Sequence, residues 1–196
     1  AFRILGEGQL SLTKFLLVTD TPQTLPDFPR LLSHILARFK PETDLYIFSN
    51  LSMDTLDYTG PEVNKGSKGV LLGLGDAVRE LPCEWVDDPP PGSHGPVVFC
   101  PGCLVLGGPS YGDAPDFPKK VASDESLKRW PLIVLCDHPE RCAASDINFL
   151  WTTFMRFEPA GDIYSSSTDI VRHHLAYRLP VVIDARKKPW YPDEIF

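Results

Sequence analysis

The sequence has no long apolar run, no excess of basic residues and no familiar catalytic motif. Its apolar runs are far shorter than the roughly 20 residues of a membrane-spanning helix, and its N-terminal residues lack the basic-then-apolar pattern of a secretory signal. Lys and Arg number 19 against 26 Asp and Glu, which gives a net charge of −7 and argues against nucleic acid or anionic membranes as main partners. We therefore expect a soluble, cytoplasmic protein with no transmembrane segment and no nucleic-acid ligand.

The sequence has few cysteines and an odd number of them, which does not fit a framework of disulfide bonds. The five cysteines are typical of free, mostly buried thiols in a reducing compartment: Cys83, Cys100, Cys103, Cys136 and Cys142. Cys100 and Cys103 have the spacing of a redox pair or half of a zinc site, but Leu104–Leu106 continues as strand and no helix begins there. We favour a plain Pro-Gly turn between two strands and predict no metal site.

A chain of 196 residues with 43% apolar residues can bury a core of one or two domains. The first residue is Ala1, which we interpret as the start of a piece cut from a longer protein. Twenty prolines cluster in the connections between apolar runs, where they shape long ordered loops.

The first part of the chain has the pattern of an α/β unit. Residues 14–20 form an apolar run that ends in Asp20, and a helix follows whose apolar residues recur at spacings of three and four up to Phe39. Residues 44–49 and 69–74 are two further buried strands. This order predicts a right-handed β-α-β crossover in a mostly parallel sheet.

The same pattern returns later, which indicates an internal duplication of a βαβ-loop-β unit. Residues 131–137 repeat the first strand and its terminal acid, and residues 181–184 repeat the third strand. The sequence from Arg156 to Tyr164 matches that from Arg38 to Tyr46 at its Arg, Phe, Pro, Asp and Tyr positions. The helix that follows residues 131–137 should bury one stripe of apolar residues: Ile147, Leu150, Trp151, Phe154 and Phe157. We divide the chain into a first unit (1–86), a Pro/Gly-rich connection with short strands at Val97–Cys100 and Leu104–Leu106 (87–129), and a second unit (130–196).

Three polar features admit both a structural and a chemical role. Asp20 and Asp137 end strands at the edge where parallel sheets bind ligands, although a turn-capping role is more common for such residues. His173 and His174 lie in a segment that we predict to be helical, so that at most one of them faces the core and the other is solvated. No nucleophile, base and orienting acid are arranged together, so we assign no catalytic residue to this chain.

Several motifs in the same order resemble the C-terminal domain of the UbiD family of aromatic and acrylic acid decarboxylases. They are the strand ending in Asp20 with its Arg38-x-x-Pro-x-x-Asp44 turn, the loop Asn50 to Tyr58, and Gly66-Ser67-Lys68. The closing segment is also similar to the family's: Val182 to Lys188, followed by Trp190, Pro192 and Glu194.

The resemblance implies a three-layer α/β/α domain of a carboxy-lyase whose catalytic residues lie in a preceding domain. That domain would hold prenylated flavin mononucleotide with a divalent metal (Mn or Mg) and potassium, and none of these should bind tightly to this chain. The C-terminal domain would close over the flavin, contribute to the pocket for the aromatic acid and help form a homo-oligomer. On matched positions, Met53, Asp54 and Leu56 are candidates for substrate contact, and Arg3 is a candidate for the flavin phosphate.

Two other functions stay open on the sequence. The chain could be a non-catalytic protein-binding module that recruits a partner through its Pro-rich loops. It could also be a flavodoxin-like nucleotide domain. The acid substrate, the direction of reaction and the oligomer number are not specified by the sequence.

Overall fold

The computed structural model describes residues 1–24 and 26–192, so Glu194 of the closing motif lies outside the described residues. The first part of the chain contains α1 (Phe2–Gly6), a 3-10 helix (Gly8–Leu12), β1 (Phe15–Thr19), α2 (Phe28–Arg38), α3 (Pro41–Asp44), β2 (Leu45–Ser52) and β3 (Lys65–Gly73). The connection contains β4 (His94–Cys100), β5 (Cys103–Gly107), α4 (Phe117–Ser123) and a 3-10 helix (Glu125–Leu127). The last part contains β6 (Leu132–Cys136), α5 (Pro139–Ala143), α6 (Asp146–Phe154), α7 (Pro159–Asp162), β7 (Ile163–Ser165), β8 (Thr168–Val171), β9 (His174–Tyr177) and β10 (Val181–Asp184).

The first sheet has the strand order β1-β3-β2, in which β1 is parallel to β3 and β2 is antiparallel to it. The predicted crossover between parallel strands flanking α2 is therefore wrong, because β1 and β2 occupy opposite edges and run in opposite directions. After β2 the chain turns back through residues 53–64, and β3 inserts between the other two strands. A returning chain forms an antiparallel pair, whereas the burial pattern that predicted the strands carries no information on direction.

The second sheet has the order β4-β5-β6-β10-β7. Strands β5, β6 and β10 are parallel, while β4 and β7 pair antiparallel at the two edges. Both sheets are thus mixed, which corrects the predicted mostly parallel sheet. Only the second sheet has a parallel centre with antiparallel edges. The edge strand β4 is antiparallel because it is joined to β5 by a tight turn.

Three strands of the second sheet have the same arrangement as the whole first sheet. The order β6-β10-β7 corresponds to β1-β3-β2, with one parallel and one antiparallel neighbour of the middle strand in each. The single-turn helices α3 and α7, which precede β2 and β7, each end in an aspartate that accepts an equivalent hydrogen bond from the backbone. Asp44 Oδ2 accepts a hydrogen bond from Lys40 N at 2.8 Å, and Asp162 Oδ2 accepts one from Glu158 N at 2.7 Å.

Helix α2 connects the two sheets through a shared hydrophobic core. Asp27 caps its N-terminus, because the Asp27 carboxylate accepts a hydrogen bond from Arg30 N, and Arg38 is its last residue, shortly before Pro41. The stripe that includes Leu32 and Ile35 is buried against one face of the second sheet as well as against the first sheet. The other face of the second sheet packs on α4 and Trp130. Because residues alternate along each strand, the second sheet is buried on both faces.

Helix α6 turns a different face to the core than its apolar pattern predicts. Phe149 is 2% exposed and stacks on Phe99 with ring centres 3.9 Å apart, whereas Ile147 is 77% and Trp151 60% exposed. Leu150 is also exposed, while Phe154 packs against the core and Phe157 is fully buried. Two rows of apolar residues fit the helical period here, and packing against β4 selects the row that contains Phe149.

The pair His173-His174 lies in a β-hairpin and not in a helix. Strands β8 and β9 pair antiparallel, and Arg172 and His173 form the two-residue turn with φ of 51° and 65°. Both turn positions need positive φ, which is typical of the tight hairpins that match strand twist. The helical prediction is corrected because a hairpin of four-residue strands has too few residues to show a clear alternation.

The segment Cys100 to Cys103 is the turn between β4 and β5, as predicted. Cys100 and Cys103 face each other in the ladder, and Gly102 has φ of 86°, which only glycine adopts without strain. Both thiols are buried, and burial raises the pKa of Cys103.

Candidate functional site

Lys14 fixes the loop between β2 and β3 to the second half of the molecule. Its Nζ lies 2.7 Å from Asp57 Oδ2 and donates hydrogen bonds to Thr59 Oγ1 at 3.0 Å and to the Phe154 carbonyl at 2.9 Å. Only 14% of the Lys14 side chain and 11% of the Asp57 side chain are exposed. Burial lowers the pKa of Lys14, and the Asp57 carboxylate opposes that shift. The ion pair thus joins β1, the loop and the chain that follows α6.

Asp57 also shapes the loop from within. Its Oδ1 accepts hydrogen bonds from Thr59 N at 3.0 Å and from Thr59 Oγ1 at 2.6 Å. On the next strand, Ser67 Oγ accepts a hydrogen bond from Ala160 N at 2.8 Å, which ties β3 to α7. The base of the loop is therefore held by contacts to both halves of the chain.

Gly60 is required where the loop returns to β3. A Cβ at this position would lie 1.9 Å from the carbonyl oxygen of Lys65. We expect Gly60→Ala to lower the free energy of unfolding by roughly 1–3 kcal/mol, because backbone must move to relieve the clash. Urea denaturation measures this loss.

Gly112→Ala is the matched control for Gly60→Ala. The nearest atoms to its new Cβ would be 3.9 and 4.0 Å away, which is ordinary contact distance. Its unfolding free energy should stay within about 1 kcal/mol of wild type. Equal losses for the two variants would contradict the role given to Gly60.

The three loop residues singled out in the sequence have different surroundings. Met53 is 5% exposed and packs over Gly66, so that a Cβ on Gly66 would lie 2.8 Å from Met53 Cγ. Asp54 accepts a hydrogen bond from Leu56 N at 2.9 Å and so forms the turn at the tip. Leu56 is 82% exposed. The structure brings the three together in one turn, with Met53 directed inward and Leu56 outward.

Arg3 lies in α1, and its Nε is 2.9 Å from Glu7 Oε2 in an exposed pair. It does not line the cleft beside the β2–β3 loop. Binding of a flavin phosphate by Arg3 therefore stays a prediction.

A cleft of about 740 Å³ lies between the β2–β3 loop and α7. Thr59 lines it from within the loop and Lys65 from the start of β3. Glu158 lines it from the residue before α7, Asp162 from the end of α7, and Tyr191 from the segment after β10. Met53, Asp54 and Leu56 do not line it. The loop tip is thus a separate surface from the cleft at its base.

A buried ionic network lies beneath this cleft. Lys188 Nζ is 3.1 Å from Asp162 Oδ2 and donates to the carbonyl oxygens of Asp184 and Arg156. Arg186, fully buried, holds Asp184 with two hydrogen bonds of 2.8 and 2.9 Å and also donates to Pro109 and Ala114 carbonyls. Burial lowers the pKa of Lys188 and raises that of Asp162, while each group's charge opposes the other's shift. The charges are compatible with burial because each one has a partner.

Aromatic rings surround the network; Tyr58 and Trp190 belong to the motifs noted in the sequence, whereas Tyr111 and Tyr191 were not singled out. The Tyr111 ring centre is 5.3 Å from Arg186 Cζ and 5.7 Å from Lys188 Nζ. Tyr111 also packs edge-on against Trp190, and Tyr58 against Tyr191. The rings come from three separated parts of the chain, so no local pattern could reveal the group. One sequence signal could have pointed to the network: Asp162, which pairs with Lys188, occupies the same position in the second repeat as Asp44 in the first.

The strand-terminal acids Asp20 and Asp137 bind the loop after the neighbouring parallel strand. Asp20 Oδ2 accepts a hydrogen bond from Gly75 N at 2.7 Å, and this bond lowers the pKa of Asp20. Asp137 Oδ2 accepts one from Lys187 N at 2.8 Å. Asp20 Oδ1 also accepts a hydrogen bond from Thr21 Oγ1 at 3.2 Å, so Asp20 contacts the following turn as well as the loop across the sheet edge.

Metal-binding groups and membrane-spanning helices are both missing from the described part of the chain. In residues 1–24 and 26–192, no three His, Cys, Asp or Glu side chains are grouped so that they could hold a metal ion. Over the same residues, no helix combines the length and apolar content needed to cross a membrane.

The fold and the site define a mixed α/β domain that presents a loop from a rigid, ion-paired base. Residues 1–73 match the family model of the 3-octaprenyl-4-hydroxybenzoate carboxy-lyase C-terminal domain. The match ends at the last residue of β3, so it covers the first sheet and α2. Residues 1–73 are therefore similar to the C-terminal domains of the UbiD family, and the resemblance that the motifs indicated is confirmed over these residues.

Curated relatives extend the similarity over the whole chain. A protein of Chlamydia pneumoniae that is named as a subunit of 4-hydroxybenzoate decarboxylase is 47% identical over 195 residues, which are 100% of this chain and 33% of that protein. An uncharacterized protein of Chlamydia caviae is 44% identical with the same coverage. One from Aeropyrum pernix is 34% identical over 82 residues, 42% of this chain and 16% of that protein. The chain spans about a third of the length of the Chlamydia relatives.

Proposed function

We propose that the chain is the C-terminal lid and assembly domain of a longer UbiD-type carboxy-lyase that acts on an aromatic or acrylic acid. The observation that carries the proposal is the 47% identity, over the full chain, to a protein named as part of a decarboxylase and about three times as long. The family match of residues 1–73 supports the same assignment. The rest of the longer protein would carry out the bond-breaking chemistry.

The cofactor would be prenylated flavin mononucleotide with a divalent metal and potassium, bound by the part of the longer protein outside this chain. The described residues supply no group of three metal-ligating side chains, so they do not fit the metal. Arg3 is the residue of this chain that we assign to the flavin phosphate. Its ion pair with Glu7 is exposed and worth at most about 1 kcal/mol, so a phosphate could replace the Glu7 carboxylate.

The loop at residues 53–64 would cover the reaction centre. Leu56 is 82% and Val63 74% exposed, while Lys14, Asp57 and Thr59 hold the base of the same loop. An apolar tip on a fixed base suits closure over a neighbouring domain, where it would exclude water and strengthen charge interactions during loss of carbon dioxide. In this role Leu56 contacts the substrate side, Asp54 maintains the turn, and Met53 supports it from below.

We also propose that the second unit arose by duplication of the first. The matching strand orders and directions support this, as do the equivalent contacts of Asp44 with Lys40 N and Asp162 with Glu158 N. The three-layer arrangement, the homo-oligomer and the cytoplasmic location remain predictions.

Leu56→Asp in the longer protein tests the lid. We expect kcat/KM for decarboxylation to fall roughly tenfold or more, because a charge at the tip opposes closure and brings water with it. The urea unfolding of the 196-residue chain should change by less than about 0.5 kcal/mol, since Leu56 makes no core contact.

Val86→Asp is the control for the lid variant. Val86 is 70% exposed and lies outside the loop. Its kcat/KM should stay within about twofold of wild type, a difference of less than ~0.5 kcal/mol in barrier height. Equal kcat/KM for Leu56→Asp and wild type would reject the lid.

Comparing the 196-residue chain with the longer protein tests the assignment as a whole. The chain alone should neither bind flavin mononucleotide tightly nor decarboxylate 4-hydroxybenzoate, and the longer protein should do both when the prenylated cofactor is supplied. Flavin-dependent turnover by the chain alone would contradict the proposal. Sedimentation of the chain distinguishes an assembly domain from a protein-binding module. A homodimer supports the assembly domain, and a monomer that binds a foreign protein supports the binding module.

A further inference from the structure

Cys100 and Cys103 face each other across the turn that joins β4 to β5. They are direct partners in the antiparallel ladder, and both side chains belong to the core that α2 shares with the second sheet. Residues that pair directly in such a ladder have Cα atoms about 4.5–5.5 Å apart and side chains on the same face of the sheet. A disulfide bond needs Cα atoms about 4.4–6.8 Å apart. The backbone therefore holds the two thiols at a separation that a disulfide can bridge.

The turn between the two cysteines is held by hydrogen bonds that do not involve sulfur. Gly102 N donates to the Pro82 carbonyl at 2.9 Å, and the Gly102 carbonyl accepts from Leu132 N at 3.2 Å. Ser33 Oγ of α2 donates to the Pro101 carbonyl at 3.1 Å. These contacts come from three other segments of the chain, so the fold fixes the turn before any bond forms between the thiols.

The two thiols have different surroundings, and the difference suits two successive steps of thiol exchange. Cys103 has no exposed surface, whereas Cys100 is 4% exposed and lies on the edge strand β4. A hydrogen bond with the Cys103 thiol lowers the pKa of Cys100, while burial raises the pKa of Cys103. Cys100 is therefore nearer to solvent and forms its thiolate more easily, and the thiolate is the attacking species.

We propose that Cys100 and Cys103 form a reversible dithiol site that exchanges with a low-molecular-weight disulfide such as oxidised glutathione. The Cys100 thiolate attacks one sulfur of that disulfide, and the first small thiol leaves. The Cys103 thiol then loses its proton and attacks the Cys100 sulfur, which releases the second small thiol. Two protein thiols are thus oxidised to one disulfide, while one small disulfide is reduced to two thiols. The site is separate from the β2–β3 loop and does not rest on the proposed decarboxylase function.

Incubation of the folded 196-residue chain with oxidised glutathione tests the site. Cys83 is exposed, so every protein compared carries Cys83→Ser to prevent bonds between chains. We expect the chain to lose the mass of two hydrogen atoms, and mapping of alkylated peptides should place the bond between Cys100 and Cys103. An excess of dithiothreitol should restore the original mass.

The same titration in urea shows whether the fold itself promotes the bond. The folded chain should reach half oxidation at a ratio of oxidised to reduced glutathione roughly tenfold or more lower than the unfolded chain, because the turn already brings the sulfur atoms together. A folded chain that stays reduced, or one that needs the same or a higher ratio than the unfolded chain, would overturn the proposal.

Single substitutions separate the roles of the two thiols. Cys103→Ser should accumulate one glutathione on Cys100, because the second attack cannot occur, and Cys100→Ser should leave the buried Cys103 unmodified. Cys136→Ser is the matched control, since it removes a fully buried thiol outside the turn and should leave the Cys100–Cys103 bond unchanged. Glutathione that persists on Cys100 while Cys103 is present would contradict the proposed exchange.

Discussion

Replacing Lys14 by methionine should lower the unfolding free energy of the chain by about 3–5 kcal/mol, the loss typical of breaking a buried ion pair from one side. The substitution leaves the Asp57 carboxylate, 11% exposed, without its cation. It also removes the donor for Thr59 Oγ1 and for the Phe154 and Phe157 carbonyls. The methionine fills most of the lysine volume, so the loss reports on the polar contacts. Urea denaturation followed by circular dichroism measures it.

Lys119→Met provides the matched comparison for Lys14. Lys119 pairs with Asp116 at 2.6 Å, but the two side chains are 66% and 74% exposed. Removing this exposed pair should leave the free energy of unfolding close to that of wild type, because solvent screens the two charges. The double variant Lys14→Met with Asp57→Leu should lose less than the sum of the two single changes, because no unpaired charge remains buried. If Lys14→Met were no more destabilising than Lys119→Met, Lys14 would not be the anchor of the loop.

Arg186→Met should be at least as destabilising, with an expected loss of about 3–5 kcal/mol or more. Asp184 has no exposed surface, so its carboxylate cannot turn to water when the guanidinium is removed. The carbonyl oxygens of Pro109 and Ala114 lose their donor at the same time, and the connection between β5 and α4 loses its link to β10. The expected result is a chain that unfolds at much lower urea concentration, or one that does not fold.

Arg186→Lys keeps the test informative if the methionine variant does not fold. A lysine retains the charge but cannot make the two-point contact with Asp184, so we expect a partial loss of roughly 1–3 kcal/mol. Arg3→Met, which breaks an exposed pair, should change the unfolding free energy by less than about 1 kcal/mol. Wild-type stability of Arg186→Met would show that the buried network does not hold the sheet edge.

The two networks explain why the molecule presents its surfaces at fixed positions. Lys14 joins the β2–β3 loop to the chain after α6, and Arg186 with Lys188 joins the ends of β10 and α7 to the connection after β5. The cleft at the base of the loop therefore has walls that are tied together through buried charges. Loss of either network should disturb this cleft before the hydrophobic core is exposed.

The sequence was sufficient to locate β1, β2, β3, β6 and β10, the helix α2, the turn at Pro101-Gly102 and the family resemblance of residues 1–73. Each of these depends on local information: an apolar run, a stripe at helical spacing, a glycine with positive φ or a motif of a few residues. The apolar runs indicated which segments are buried, because burial follows directly from the apolar character of each side chain.

The tertiary structure alone decided the direction of β2 and β7, the face that α6 buries, the hairpin at His173 and the partners of Lys14, Arg186 and Asp137. An apolar run is equally buried in a parallel or an antiparallel pair, and α6 carries two apolar rows between which the packing of Phe149 on Phe99 selects. The ion pairs and hydrogen bonds join residues as far apart as Lys14 and Phe154, so they form only when the sheets have brought those segments together. Local chemistry therefore determined the elements and the family resemblance of residues 1–73, while long-range packing determined which charged and aromatic side chains meet at the base of the β2–β3 loop.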